Sequence, residues 1–265
     1  MKSILRTIFR NLREIYYWAA CKPKGVGYIM MMHHILQEGD RGFPQEHYLN
    51  ITPQALEKFL ADASRKFDFI SLAEVPNRIK HPQKRLFMAF TLDDGCQSVY
   101  THGLPIFQKY RVPFTIYVTT GFVGGTCDNS ELQNEKETAL TWEQLMELKK
   151  NPLVTIGGHT DSHPKLTHLS IGKQRDEIKR CVTAIKELLH HDIATFAYPF
   201  GDEDKEVIKV LHEEVPHIQT AVLATGGAVS TAHTNFLRLP RINLANSTMV
   251  KELYHWRETY MGFML

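Results

Sequence analysis

Short apolar runs alternate along this chain with longer stretches in which apolar residues recur every three to four positions. The first run, Gly27-Tyr-Ile-Met-Met-Met-His33, predicts a strand that ends in two histidines. Thr52-Pro53 then reads as N-cap and first helical position, with Leu56, Phe59, Leu60 and Ala63 at helical spacing. Further strands are predicted over residues 67–71, 86–92, 112–119, 153–157, 193–197, 219–224 and 237–244. Helices are predicted over 72–79, up to Tyr110, from the cap Thr141, over 170–190 and 202–214, and at the C-terminal end around Trp256. Residues 37–50 and 121–138 read as polar loops. Strand and helix alternate throughout, with no internal repeat. That alternation predicts an α/β fold, a parallel sheet covered by helices and closed into a barrel.

Composition narrows the picture little. A chain of 265 residues with 43% hydrophobic content can bury one large core, so residues 25–265 are read as a single domain. A net charge of +2 gives no argument for a nucleic-acid partner. Cys21, Cys96, Cys127 and Cys181 form no C-x-x-C pair, which predicts a reducing compartment or no reliance on disulfides. No apolar run is long enough to span a bilayer, and arginines interrupt the N-terminus where a signal peptide needs its apolar core. Residues 1–20 instead have helical period: Ile4, Leu5, Ile8, Phe9, Leu12 and Ile15 share a face, with Lys2, Arg6, Arg10 and Arg13 elsewhere. Such a helix either lies on an anionic membrane surface or packs on a protein. The expected location is cytoplasmic, or peripheral at the inner membrane surface.

Chemistry enters at Leu86-Phe-Met-Ala-Phe-Thr-Leu-Asp-Asp-Gly95, an apolar run that ends in two carboxylates. A buried strand cannot carry two ionised carboxylates in its middle, so they sit where it emerges, at the end where α/β folds bind ligands. One metal ligand beside one general base is the functional reading; an exposed Asp-Gly turn is the other. Gly157-Gly-His159-Thr-Asp-Ser-His163-Pro164 follows another strand. Two imidazoles four apart can share a metal, and a carboxylate from a second strand completes three ligands with an open position. Phe196-Ala-Tyr198-Pro199-Phe200-Gly201 closes a third strand in a rigid turn, where a backbone N–H can face a developing oxyanion.

Together these stretches resemble the polysaccharide deacetylases, the NodB-homology group of carbohydrate esterases (family four). Thr91-Leu-Asp-Asp-Gly95 is similar to their T-F-D-D-G motif, His159-Thr-Asp-Ser-His163 to H-[ST]-x-x-H, and Tyr198-Pro-Phe-Gly201 to the third motif. The resemblance runs from about Gly27 to about Leu244. It implies a deformed (β/α) barrel and a metal-dependent deacetylase acting on an acetylated carbohydrate. Asp93 would be the general base. Asp94, His159 and His163 would hold the metal, zinc first, with cobalt, nickel, manganese or iron also suited to the ligand set. Tyr198, Pro199 and Phe200 would form the oxyanion and substrate side, Phe200 through its N–H.

Two departures matter. The family's arginine before the third motif is Ala197 here, and Arg238 or Arg241 is the expected substitute for orienting the base. The late histidine that supplies the acid is missing from Ala221-Val-Leu-Ala-Thr-Gly-Gly227. A permuted subgroup acting on poly-N-acetylglucosamine carries its histidine ahead of the D-D-G motif, and Met32-His-His-Ile35 resembles that element. His33 is therefore the expected acid and His34 its alternate, with a neighbouring carboxylate expected to hold the imidazole protonated. An O-acetyl esterase or other amidohydrolase on the same metal, or a carbohydrate-binding relative without turnover, remains the rival reading.

Overall fold

The structure, a computed structural model, describes residues 25–40, 49–127 and 137–245. The expected N-terminal amphipathic helix (1–20) and the C-terminal helix around Trp256 lie outside the described residues. The strands are β1 (Gly25–Met32), β2 (Asp68–Phe69), β3 (Phe87–Leu92), β4 (Phe114–Val118), β5 (Val154–Gly158), β6 (Thr195–Ala197), β7 (Thr220–Gly226), β8 (Val229–Ser230) and β9 (Leu239–Asn243). The α-helices are α1 (Pro53–Ser64), α2 (Val75–Lys80), α3 (Leu104–Tyr110), α4 (Trp142–Lys149), α5 (Ile171–Leu189) and α6 (Lys205–Glu214). The sequence signals behave as read: Thr52 caps α1, and Thr141 with Gln144 forms a capping box on α4. The tiny strand β8 has no counterpart in the expected elements.

Seven parallel strands close on themselves in the order β1-β3-β4-β5-β6-β7-β9, with β9 returning to β1. Closure depends on the long seam between β1 and β3, paired from Gly27↔Phe87 to Met32↔Leu92. Gly27 is required there, because a Cβ would stand 2.4 Å from the Phe87 ring. The first half of β3 also carries β2, and its second half carries β4. Antiparallel β8 likewise covers the start of β1, so these edges are not left open.

The pleat sorts side chains into two layers. Met30, Met32, Met88, Phe90, Leu92, Phe114, Ile116 and Val118 face the helices and pack with Phe59, Phe107, Ile178 and Ile185. Ile29, Phe87, Ala89, Tyr117, Ala197, Val222 and Leu239 form the second cluster, the barrel interior. Helix α5 buries Ile178, Cys181, Ile185 and Leu189, the i, i+3, i+7 and i+11 positions of one stripe. The consequence for the site follows from a period of two. Phe87 and Ala89 face inward, and two steps on come Thr91 and then Asp93. Leu239 faces inward, and two steps on comes Arg241. The barrel is apolar at its floor and polar at the carboxyl end of its strands.

Candidate active site

Asp93 leaves β3 with its N–H donating to the Met32 carbonyl of β1 at 2.9 Å. Its carboxylate is gripped by Arg241: Nη1 donates to Oδ1 at 2.7 Å and Nη2 to Oδ2 at 2.6 Å. Both side chains are buried. Arg241 is fixed in turn, with Nε donating to the Leu223 carbonyl at 2.6 Å and Nη1 to Thr91 Oγ1 at 3.0 Å. Its guanidinium carbon lies 5.8 Å from the Tyr117 ring centroid. Burial by itself would push the Asp93 carboxyl up; Arg241 outweighs it and holds the group well below the usual carboxylate range. Of the two expected arginines, Arg238 stands elsewhere. It pairs with Glu203 at 2.7 Å, half exposed, because it precedes β9 in a 3-10 turn and never enters the barrel.

Asp94 turns away from its neighbour. Its φ of 70° and the 74° of Gly95 take the chain through the left-handed region, which separates the two carboxylates. Asp94 Oδ1 lies 3.5 Å from Nε2 of His159 and 3.5 Å from Nε2 of His163. It is buried and has no hydrogen-bond partner. His159 Nδ1 is 2.7 Å from the Ala197 carbonyl, which can only accept, so Nδ1 carries the proton and Nε2 keeps its lone pair. Burial lowers the His159 pKa to about 4, so the ring is neutral at pH 7. The His159–His163 turn uses two more left-handed residues, Thr160 and His163, and Thr160 Oγ1 accepts the His163 N–H at 3.0 Å. Glu177 of α5 accepts from the N–H groups of Asp161 and Ser162 and from Ser162 Oγ. One ligand atom from each of Asp94, His159 and His163 lies within 4.8 Å of the others. Two imidazole nitrogens and an unpartnered carboxylate oxygen are the donor set of a divalent cation, so these residues fit one.

The two histidines after β1 part company. His33 Nε2 lies 3.9 Å from Asp93 Oδ2, and its Nδ1 is buried without a partner. His34 points the other way, its Nδ1 2.6 Å from Glu137 Oε2, while Glu137 Oε1 accepts the Ser98 N–H at 2.6 Å. The expectation that a carboxylate would hold His33 protonated is corrected: burial lowers its pKa and prevails over the opposing pull of Asp94 and Asp93.

The third turn presents Phe200. Gly201 N–H donates to the Tyr198 carbonyl and Asp202 N–H to the Pro199 carbonyl, with Phe200 left-handed at φ 58°. Phe200 is 47% exposed, with its ring 4.7 Å from the His163 ring and 5.4 Å from Lys165 Nζ. Tyr198 is buried, and its hydroxyl donates to the Leu237 carbonyl at 3.1 Å. Its side chain therefore holds the turn and does not face the cleft.

Sequence reasoning missed Glu177 and Glu137. Glu177 sits on the buried side of α5, at positions 174, 177, 178 and 181, so the helical stripe was the signal. Glu137 lies in a polar stretch without periodicity and carried none.

Residues 80–214 match the family model described as polysaccharide deacetylase. Among curated proteins, the chain is similar to the poly-beta-1,6-N-acetyl-D-glucosamine N-deacetylase of Staphylococcus epidermidis. The two are 26% identical over 185 residues, 65% of this chain and 60% of that protein. The Staphylococcus aureus protein of the same name is 25% identical over 192 residues, 67% of this chain and 60% of its own length. The chain thus spans about three fifths of the curated relatives it matches. Among solved structures, IcaB from Ammonifex degensii superimposes with a TM-score of 0.70 at 19% identity, over 88% of this chain and 97% of that one. The Streptococcus pyogenes deacetylase PplD, solved in complex with acetate, gives 0.69 at 22%, over 87% and 98%. These likenesses bear out the deformed barrel.

Proposed function

The chain belongs to the polysaccharide deacetylase family, and on that premise we propose that it is a metal-dependent hydrolase removing acetyl groups from an N-acetylated sugar. The observation that carries this reading is the meeting of Asp94, His159 and His163 around an unpartnered carboxylate oxygen, beside the Asp93–Arg241 pair. The curated relatives' names point to an N-acetylglucosamine polymer as the substrate class.

A divalent cation held by Asp94, His159 and His163, zinc first among the candidates, would polarise the acetyl carbonyl and lower the pKa of the attacking water. Asp93 takes the proton from that water, its carboxylate aimed by Arg241. The Phe200 N–H is the candidate donor to the charge growing on the carbonyl oxygen. The leaving amine needs a proton. Arg241 keeps Asp93 so acidic that the captured proton does not stay there. His33, neutral at rest and 3.9 Å from Asp93, is the next base and hands the proton to the amine. His34, bound to Glu137, takes no part in this relay.

Acetate release from N-acetylglucosamine oligomers, set beside O-acetylated sugars and repeated with a chelator and with metal restored, tests the reading. Release from the N-acetylated oligomers alone, lost to the chelator and regained with metal, is the expected result. Release only from O-acetyl esters turns the assignment to an esterase, and no release from either makes the chain a binding relative. Peripheral membrane contact through residues 1–20 belongs to the same proposal on the strength of their amphipathic pattern. Unchanged sedimentation with anionic vesicles after their deletion would sink it.

A further inference from the structure

Cys96 and Cys127 are 31 positions apart in the chain, and their sulfurs lie 3.0 Å from each other. Cys96 follows the Asp93-Asp94-Gly95 turn directly, and Cys127 lies in the loop that follows β4. Residues 137–140 run between the two loops. On one side Gln97 N–H donates to the Thr138 carbonyl and Leu140 N–H to the Gly95 carbonyl. On the other, Cys127 N–H donates to the Glu137 carbonyl, Ala139 N–H to Gly125 and Gly124 N–H to Leu140. Isolated bridges Cys96↔Ala139 and Thr126↔Thr138 mark the same clasp. Both thiols are buried, at 0% and 3% exposure. Cys127 Sγ is also 4.0 Å from the Asp94 carbonyl oxygen.

Two uses of such a pair compete. His34 and Glu137 lie beside Cys96, so the cluster has the residue types of a zinc site. The spacings oppose it. Two thiolates on one tetrahedral zinc stand ~3.7 Å apart, and an imidazole nitrogen and a carboxylate oxygen ~3.3 Å. Here the sulfurs are at 3.0 Å, and His34 Nδ1 and Glu137 Oε2 at 2.6 Å. Each pair is closed on itself, and both Glu137 oxygens already accept hydrogen bonds.

We propose that Cys96 and Cys127 are a disulfide-forming site that fastens the turn bearing Asp94 to the loop after β4. The oxidant is a disulfide of a small thiol or of a partner oxidoreductase. One thiol attacks it as the thiolate, breaking its S–S bond and releasing one thiol. The other cysteine then attacks the mixed disulfide and releases the second. Two cysteine protons leave, two electrons pass to the reagent, and one S–S bond forms for one broken. Cys181, buried in α5 against the Val118 carbonyl, takes no part and serves as an internal control.

The test is thiol mapping of the folded wild-type chain. Reduced protein is incubated with oxidised glutathione, alkylated, digested and weighed. The expected result is a linked pair of peptides carrying Cys96 and Cys127, lighter by two hydrogens and separated by dithiothreitol, with Cys181 alkylated after unfolding. Closing this loop should raise the midpoint of thermal unfolding by about 5–10 °C. Cys127→Ser and Cys96→Ser should each lose both the link and the shift. Recovery of Cys96 and Cys127 as free thiols after oxidation overturns the proposal. So does a bound zinc ion that protects both thiols and persists in His159→Ala.

Discussion

One peptide bond separates Asp93, whose two oxygens are each held by an Arg241 nitrogen, from Asp94, whose Oδ1 is buried without a hydrogen-bond partner. The first carboxylate sits in the barrel interior with its charge answered, its orientation set by a guanidinium that is itself pinned by Leu223 and Thr91. The second is swung by a left-handed backbone toward two imidazoles. A buried unsatisfied acceptor costs about 1–3 kcal/mol and a left-handed non-glycine residue about 1–3 kcal/mol more. Asp94, Thr160, His163 and Phe200 all carry that backbone conformation around one cleft. On the proposed reading the contrast separates the tasks: a saturated carboxylate keeps one geometry for moving a proton, and an unsaturated one keeps a lone pair for a cation.

The largest effects should come from the open corner. His159→Ala removes an imidazole that is neutral at pH 7 and aimed by Ala197. Metal content and acetate release should fall to background together; full metal content in this variant would break the contrast. In the closed corner Asp93→Asn should keep its metal and lose about 10²–10⁴-fold in kcat, the range for general acid–base groups. His33→Ala should cost about 10²-fold in kcat with metal retained. His34→Ala should leave kcat near normal and cost about 1–3 kcal/mol of stability, because Glu137 loses its partner. A reversed order for these two histidines would move the proton relay to His34.

Arg241→Met sharpens the comparison further. Breaking a buried pair by removing one partner costs about 3–5 kcal/mol of stability. With the guanidinium gone, burial acts on Asp93 against only the smaller pull of His159 and His33, and its carboxyl rises. The base is then ionised only at higher pH, so the acid limb of the kcat–pH profile should move upward. Arg238→Ala, which takes a half-exposed guanidinium from the buried carboxylate of Glu203, should cost about 1–3 kcal/mol of stability and leave the profile in place. An upward limb in Arg238→Ala would reassign the orienting role.

Much of the cleft was legible because Asp93, Asp94, His159 and His163 each stand just past a strand that announces itself by a short apolar run. The sequence left Arg238 and Arg241 as equal substitutes for the family's arginine; the structure brings only Arg241 to Asp93, since 238 and 241 fall on opposite faces of a strand and β9 begins only at Leu239. The proton state of His33 was not legible. Burial depth is a tertiary quantity, and the sequence shows the carboxylates beside His33 without showing how far the ring lies from water. Glu137 and Cys127 were hidden for a different reason. They come from residues 121–138, read as a polar loop, yet backbone hydrogen bonds join that stretch to the Asp94 turn.

The most direct measurement is calorimetric titration of zinc into two metal-stripped variants, Asp93→Asn and Asp94→Asn. Stoichiometric binding by Asp93→Asn, close to the wild-type affinity, is expected, with an affinity lowered by a factor of about 100 or more in Asp94→Asn, which loses one of three ligands. Equal affinities in the two variants, or the larger loss in Asp93→Asn, would contradict the division of labour between the neighbouring carboxylates.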